Sequence, residues 1–388
     1  MQLFYRGFRA EPGSPVQEAL AALRAHEPVS GRRPYLLGYG PVARMNPYQQ
    51  LLYRGLPAAG VVSTPVLSLD SFEALLSLAP QASGVGLHLH WLNTVLGSAR
   101  DSAEAEARVD AFTARLRAFR AAGGRLVWTV HNVVPHDAVH IGAERRLQQE
   151  VADIVDLVHV MDPATQQVLG EDLRLNPDRL LVAPHPGYQG AYPRATTREA
   201  SRAMLGLHSD EAVFAMLGAI KPYKGIEEVY AGFDALIRRD DRPRRLIVAG
   251  PREDSRWARE LVARLRRHPR VLVQDAAVPN DRMQFLLSAV DVVVLGHRRA
   301  LNSGGALLGP TFAVPLLAAR TGVLPHLLED SFTEFFAAGD PESAREGLRS
   351  AERLLDASAR EAAFDFARRH HPDDVARGFA AELTARLW

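Results

Sequence analysis

Apolar runs rich in β-branched and aromatic residues alternate with stretches whose apolar positions recur at helical spacing, along nearly the whole chain. That rhythm predicts α/β layers built on largely parallel sheets. In the first half, strands are expected over Tyr35–Tyr39, Val61–Leu67, Val85–His90, Arg125–His131, Leu157–Met161 and Leu180–Ala183. Helices are expected between them, notably Pro47–Leu56, Ser71–Leu78 and Ala103–Ala122. The last of these carries Val109, Phe112, Leu116 and Phe119 on one face and several arginines elsewhere, the pattern of a helix packed on one side. Residues 1–33 break the rhythm and read as an extension with one helix, Val16–His26.

Pro184, Pro186, Gly187, Gly190 and Pro193 then crowd together, the composition of a linker between domains. A second series of strands follows: Val213–Leu217, Arg245–Ala249, Val271–Gln274, Val292–Leu295 and Pro315–Ala318. Helices are expected at Ser255–Arg267, at Asn280–Ala289 and from Ser303 onward, and residues 341–388 read as consecutive helices. The expected fold is therefore α/β, with two facing Rossmann-like domains, a short linker and a C-terminal helical tail. The boundaries fall at 1–190, 191–365 and 366–388. Ligands of such folds bind beyond the carboxyl ends of the strands, so the cleft is expected there.

Composition narrows the function classes. A chain of 388 residues suits two cores, and a formal net charge of +1 makes no electrostatic case for nucleic acid. Cysteine is absent, which excludes disulfides, a thiol nucleophile and thiolate-ligated metal. The first residues lack the apolar run of a signal peptide, and no stretch has the length to span a bilayer, so a cytoplasmic protein is expected. The helix bearing Arg108, Arg115, Arg117 and Arg120 could rest peripherally on anionic lipid at a membrane face. Glu104, Glu106 and Asp110 interrupt that charge, which favours a solvated face instead.

The basic residues are distributed unevenly by type. Only two of 46 are lysines, and both lie in Gly218-Ala-Ile-Lys221-Pro-Tyr-Lys224-Gly225. Lysine acts as a compact point charge where arginine imposes a planar fork, and a phosphate oxygen is the usual reason to prefer it. This loop follows the apolar run Ala212–Leu217 and precedes Ile226, Val229, Phe233 and Ile237, one face of a helix. Strand, Gly- and Lys-bearing loop, then helix start is where α/β proteins hold phosphates. Asn302-Ser303-Gly304-Gly305 follows the strand Val292–Leu295 and opens another helix, offering backbone N–H groups to an anion. Gly218, Lys221, Lys224 and Asn302–Gly305 are thus candidate residues for binding a diphosphate. The bland alternative is two surface lysines and an ordinary helix cap. No Asp-x-Asp stands at a strand end in this half, so no metal is expected.

With these motifs the chain resembles GT-B glycosyltransferases, family 4-like, of bacterial polysaccharide and glycolipid synthesis. Gly218, Lys224 and Gly225 are similar to that family's Gly-x-x-x-x-x-Lys-Gly loop, and Ile247-Val-Ala-Gly250-Pro to its following strand and turn. Ser303-Gly-Gly leading to Phe312-Ala-Val-Pro315 resembles the helix that packs against the donor. Asn46-Pro-Tyr and Trp128-Thr-Val-His131-Asn-Val-Val-Pro-His136 resemble acceptor-domain motifs. The resemblance implies hexosyl transfer from a UDP- or GDP-sugar to a glycan or lipid-linked acceptor, with no cofactor besides the donor. It also implies an acceptor-binding first domain, a donor-binding second domain, and a final helix returning to the first. Two departures stand out. Ala219 replaces a common arginine, so Lys221 could supply the charge. Ala300 and Leu308 fall where many retaining members carry a Glu-x7-Glu pair, which leaves Glu329 or Asp330 as ribose candidates and points to inversion.

Inversion requires a base on the acceptor side. His88, His90, Trp91, His131, His136 and Asp137 all fall at or just past expected strand ends. A neutral histidine or a carboxylate near a cation can take the acceptor proton. His131 is the candidate base or sugar contact and Asp137 the alternative, with Asn46, His90, Trp91 and His136 on the acceptor side. For His88 and His90 a structural hydrogen-bonding role is the stronger reading. A nucleotide-sugar epimerase and a non-catalytic sugar-nucleotide-binding protein remain alternatives.

Overall fold

The computed structural model describes residues 14–26, 31–43, 46–133 and 138–387. The chain divides into two compact units, one running to Pro184 and resumed at Asp373, the other spanning His185–Pro372.

Unit 1 holds strands β1 (Tyr35–Gly40), β2 (Val61–Pro65), β3 (Val85–Leu89), β4 (Arg125–Thr129), β5 (Leu157–Val160) and β6 (Leu180–Val182). They form one parallel sheet in the order β2-β1-β3-β4-β5-β6. β3 and β5 are buried at every position, as strands covered on both faces are, although each carries a histidine in its apolar run. The order reverses between β1 and β3, so the loops after these two strands diverge there. The helix Ser102–Ala121 begins at Asp101, whose side chain accepts from the Glu104 backbone N–H at 2.8 Å, and it buries the four apolar residues expected of it. The segment Phe72–Gln81 is a 3-10 helix rather than an α-helix, and Pro80 inside it limits regular i→i−4 bonding. The helix Pro372–Leu387 belongs to this unit: Phe379 and Leu383 lie in its core, Arg54 pairs with Asp373 at 2.9 Å, and Arg386 donates to the Leu180 carbonyl.

Unit 2 holds β7 (Ala212–Leu217), β8 (Arg244–Ala249), β9 (Val271–Gln274), β10 (Val292–Leu295), β11 (Leu316–Ala319) and β12 (Thr333–Phe336). The sheet is again parallel, in the order β12-β11-β10-β7-β8-β9. Counted from β7 this is the doubly wound nucleotide-binding order, with its switch point between β7 and β10. The helix Ile226–Ile237 packs Ile226, Val229, Phe233 and Leu236 into the core beneath β7 and β8. Complete burial of Val229 and Phe233 stabilises by about 1.5–3 kcal/mol each. The edge strand β12 was not expected from the sequence. No helix among the described residues is long and apolar enough to cross a membrane.

Candidate functional site

In unit 2 the loops after β7 and β10 leave adjacent strands at the switch point. Their approach is set by Gly225, which ends a single 3-10 turn over Pro222–Lys224 at φ 65 and opens the helix Ile226–Ile237. A β-carbon there would sit 1.9 Å from the Gly296 carbonyl oxygen, so the two loops touch backbone to backbone. The contact brings Lys224 Nζ to 2.9 Å from His297 Nε2 and 5.4 Å from the centre of the Tyr223 ring. Burial pushes the Lys224 ammonium down to about 8. The Lys221 carbonyl accepts from the Lys224 backbone N–H at 3.1 Å, so one turn holds both lysines, each partly buried. Arg298 pairs with Glu228 and Glu227 in the first turn of that helix. A partly desolvated cation beside a helix start can hold an oxyanion.

Asn302–Gly305 also follows β10, but the helix after it, Gly305–Thr311, is short. Ala306 and Leu307 donate to the Ser303 and Gly304 carbonyls at 3.0 and 3.1 Å, closing the first turn internally. The hydroxyl of Tyr188 sits 2.4 Å from where a Gly304 β-carbon would be, so only glycine fits beneath that ring. Ala300 is buried, with its N–H donating to Thr321 Oγ1 at 3.3 Å, and Leu308 is a partly buried apolar helix residue. Neither position can supply a carboxylate. Glu329 pairs with Arg369, and both Glu329 and Asp330 precede β12 at the amino ends of the strands. That end is opposite the lysine loop, which removes them as ribose ligands.

In unit 1 the strands place four histidines in one connected cluster. His88 and His90 alternate on one face of β3 and its continuation, and Thr129 and His131 do the same from β4. His159 lies opposite Thr129 on β5. Tyr53, from the helix Tyr48–Tyr53, reaches His88 Nδ1 at 2.7 Å and His90 Nε2 at 2.6 Å. His88 Nε2 meets Thr129 Oγ1 at 2.7 Å, and Thr129 Oγ1 meets His159 Nδ1 at 2.9 Å. His90 Nδ1 lies 3.0 Å from His131 Nε2. Trp91 stacks on His131 with ring centres 4.2 Å apart, and Tyr48 meets the same ring edge-on at 5.3 Å. Phe379 lies parallel to the His88 ring at 5.8 Å. Burial, then the neighbouring imidazoles, holds His88 and His90 well below the ordinary histidine range. Among the described residues no group of three or more acidic, histidine or cysteine side chains could hold a metal.

The structure thus joins His131, His90 and Trp91, but not as three surface contacts. His90 is 1% exposed and spends both ring nitrogens inside the cluster, so it cannot touch an acceptor directly. His131 and Trp91 remain partly exposed. Asn46 is exposed, and its side chain accepts from the Tyr48 backbone N–H at 3.0 Å. His136 and Asp137 lie outside the described residues. Sequence reasoning missed His297, although a histidine two residues past a buried strand at a switch point was a usable signal. It also missed Tyr53, Thr129 and His159, whose proximity depends on strand order and helix packing.

Paired Rossmann-like units with wholly parallel sheets and a helical tail define the GT-B fold. Against known proteins, the chain is similar to D-inositol 3-phosphate glycosyltransferases, 28% identical over 207 residues to that of Corynebacterium glutamicum (strain R), covering 51% of this chain and 49% of the relative. To the corresponding Corynebacterium aurimucosum protein it is 25% identical over 261 residues, covering 62% of each. The chain thus spans about half to three fifths of the length of these curated relatives. Among solved structures it is similar to Anabaena Alr3699/HepE in complex with UDP and glucose, with TM-score 0.66, 13% identity, and coverage of 91% of this chain and 100% of that one. No family model matches the chain.

Proposed function

We propose that this protein is a glycosyltransferase that moves a hexosyl group from a UDP-sugar to a hydroxyl of a glycan or lipid-linked acceptor, by inversion and without metal. The observation that carries the donor half is Lys224, a partly desolvated ammonium at the switch point of a nucleotide-binding sheet. With Lys221 it would hold the diphosphate of the leaving nucleotide, an electrostatic task suited to fixed donors. Uridine is favoured because the similar Anabaena protein is described with UDP. Inversion is favoured because Ala300 and Leu308 leave no acidic pair where retaining relatives carry one. The acceptor proton would pass to His131 or Asp137, while Trp91, stacked on His131, offers an aromatic face to a sugar ring.

The test is to incubate the protein with UDP-sugars and a panel of acceptors that includes lipid-linked glycans and phosphorylated polyols, then follow UDP and product by mass spectrometry. Acceptor-dependent UDP release with a glycosylated product is expected. Interconversion of the donor without any acceptor, or nucleotide binding with no turnover on any acceptor, would overturn the assignment.

A further inference from the structure

A continuous set of hydrogen bonds crosses unit 1 from a backbone carbonyl to His131, and one end dictates its polarity. The Ala183 carbonyl can only accept, so His159 Nε2, 2.9 Å away, carries a proton. His159 is fully buried with Nε2 on that carbonyl, and as the Nε2–H tautomer it turns the Nδ1 lone pair to the hydroxyl proton of Thr129. With that proton committed, Thr129 Oγ1 accepts from His88 Nε2. His88 Nδ1 is consequently an acceptor and takes the Tyr53 hydroxyl proton. The Tyr53 oxygen accepts from His90 Nε2, which leaves His90 Nδ1 as the acceptor for a proton on His131 Nε2. Burial holds His88 and His90 well below the ordinary histidine range and raises the Tyr53 hydroxyl well above its own, so these three central links each hold the one proton this scheme gives them. Reversing one link requires reversing all, and would set a lone pair of His159 against the Ala183 carbonyl.

We propose that this network fixes His131 as the Nε2–H tautomer, with Nδ1 as its basic atom, and that Tyr53, His88, His90, Thr129 and His159 are positioning residues for it. The inference rests on the reading above only for its use in catalysis, since the tautomer is a property of unit 1 alone. The network is an orienting device and not a proton exit. A proton taken up at Nδ1 cannot leave at the far end, because a carbonyl cannot accept it covalently.

The experiment is a long-range nitrogen–proton correlation spectrum of the full chain with 15N-labelled histidine, His131 being assigned by its loss in His131→Gln. A single Nε2–H tautomer is expected in the parent, and a mixed or Nδ1–H population in Tyr53→Phe, where His90 loses its acceptor. Thr129→Val should act in the same direction from two links further away. Transfer activity in Tyr53→Phe should fall in proportion to the share of the wrong tautomer, about two-fold when half the molecules hold it, with UDP affinity unchanged. An Nδ1–H tautomer in the parent, or an unchanged tautomer in Tyr53→Phe, would overturn the proposal without touching the assigned reaction. Full activity in His131→Gln would instead remove His131 from that reaction and leave the tautomer result standing.

Discussion

Replacing Lys224 with methionine should move nucleotide affinity and fold stability in opposite directions. Methionine keeps most of the apolar stem and removes the ammonium that lies 2.9 Å from His297. At pH 7 a group with a pKa of about 8 is mostly protonated, so the parent carries this charge when it meets a diphosphate. Losing one charge-assisted contact costs about 1.5–3 kcal/mol, which is roughly a 10- to 150-fold rise in the dissociation constant for UDP. Stability should respond the other way. The unfolded lysine titrates near 10.5 and the folded one near 8, so the unfolded chain binds more protons between those values. The burial penalty is therefore fully present below pH 8 and fades as pH rises towards 10.5. Its ceiling is about 3 kcal/mol, and the lost contacts of the ammonium with His297 and Tyr223 subtract from it, so a gain of about 1–2 kcal/mol at pH 7 is expected. Calorimetric titration with UDP and urea unfolding at pH 7 and 9.5 read both effects, and the stability difference should shrink at the higher pH. A variant that binds UDP like its parent would refute the placement of the diphosphate. One that is less stable than its parent at pH 7 would refute the charge-burial argument.

Acid should weaken unit 1 through His88 and His90. Their folded pKa values are depressed, so below the unfolded value near 6.5 the unfolded chain binds the extra protons, and stability should fall by up to about 1.4 kcal/mol per pH unit for each, read by urea unfolding between pH 7 and 5. Gly225→Ala should destabilise unit 2 by about 2–4 kcal/mol, combining left-handed strain with overlap on the Gly296 carbonyl, and an unchanged melting temperature would count against that loop contact. Turnover should survive EDTA; complete loss restored by manganese or magnesium would reverse the metal assignment. The product should carry the anomeric configuration opposite to that of the donor by NMR, and retention would refute the single displacement.

The lysine loop was legible because composition and periodicity coincide there. A chain that otherwise uses arginine places both lysines between a buried strand and a helix face, and the structure puts them at the switch point. Strand existence was likewise readable from apolar runs, but ends were not. Val130 and His131 extend the run of β4, yet the ladder stops at Thr129. The Thr333–Phe336 strand escaped notice because an edge strand pairs on one side only, and its alternation of Thr, Glu and Phe is too short to mark a period. The histidine cluster was half visible. Histidines at strand ends can be counted along the chain, but their neighbours across the sheet follow from the order β3-β4-β5, and Tyr53 arrives from a helix with no pattern to announce it.

Phe379, stacked over His88, belongs to a helix that the ribosome makes about 200 residues after β6. At roughly 5–20 residues per second, the six-stranded sheet waits on the order of 10–40 s for that covering helix while all of unit 2 is synthesised. During that interval the aromatic and imidazole surface beneath Phe379 faces solvent or a chaperone. Unit 2, contiguous in sequence, can close first. A chain shortened to residue 184 would hold every strand of its sheet and still fold poorly, whereas residues 185–372 contain a whole doubly wound sheet and should be separable.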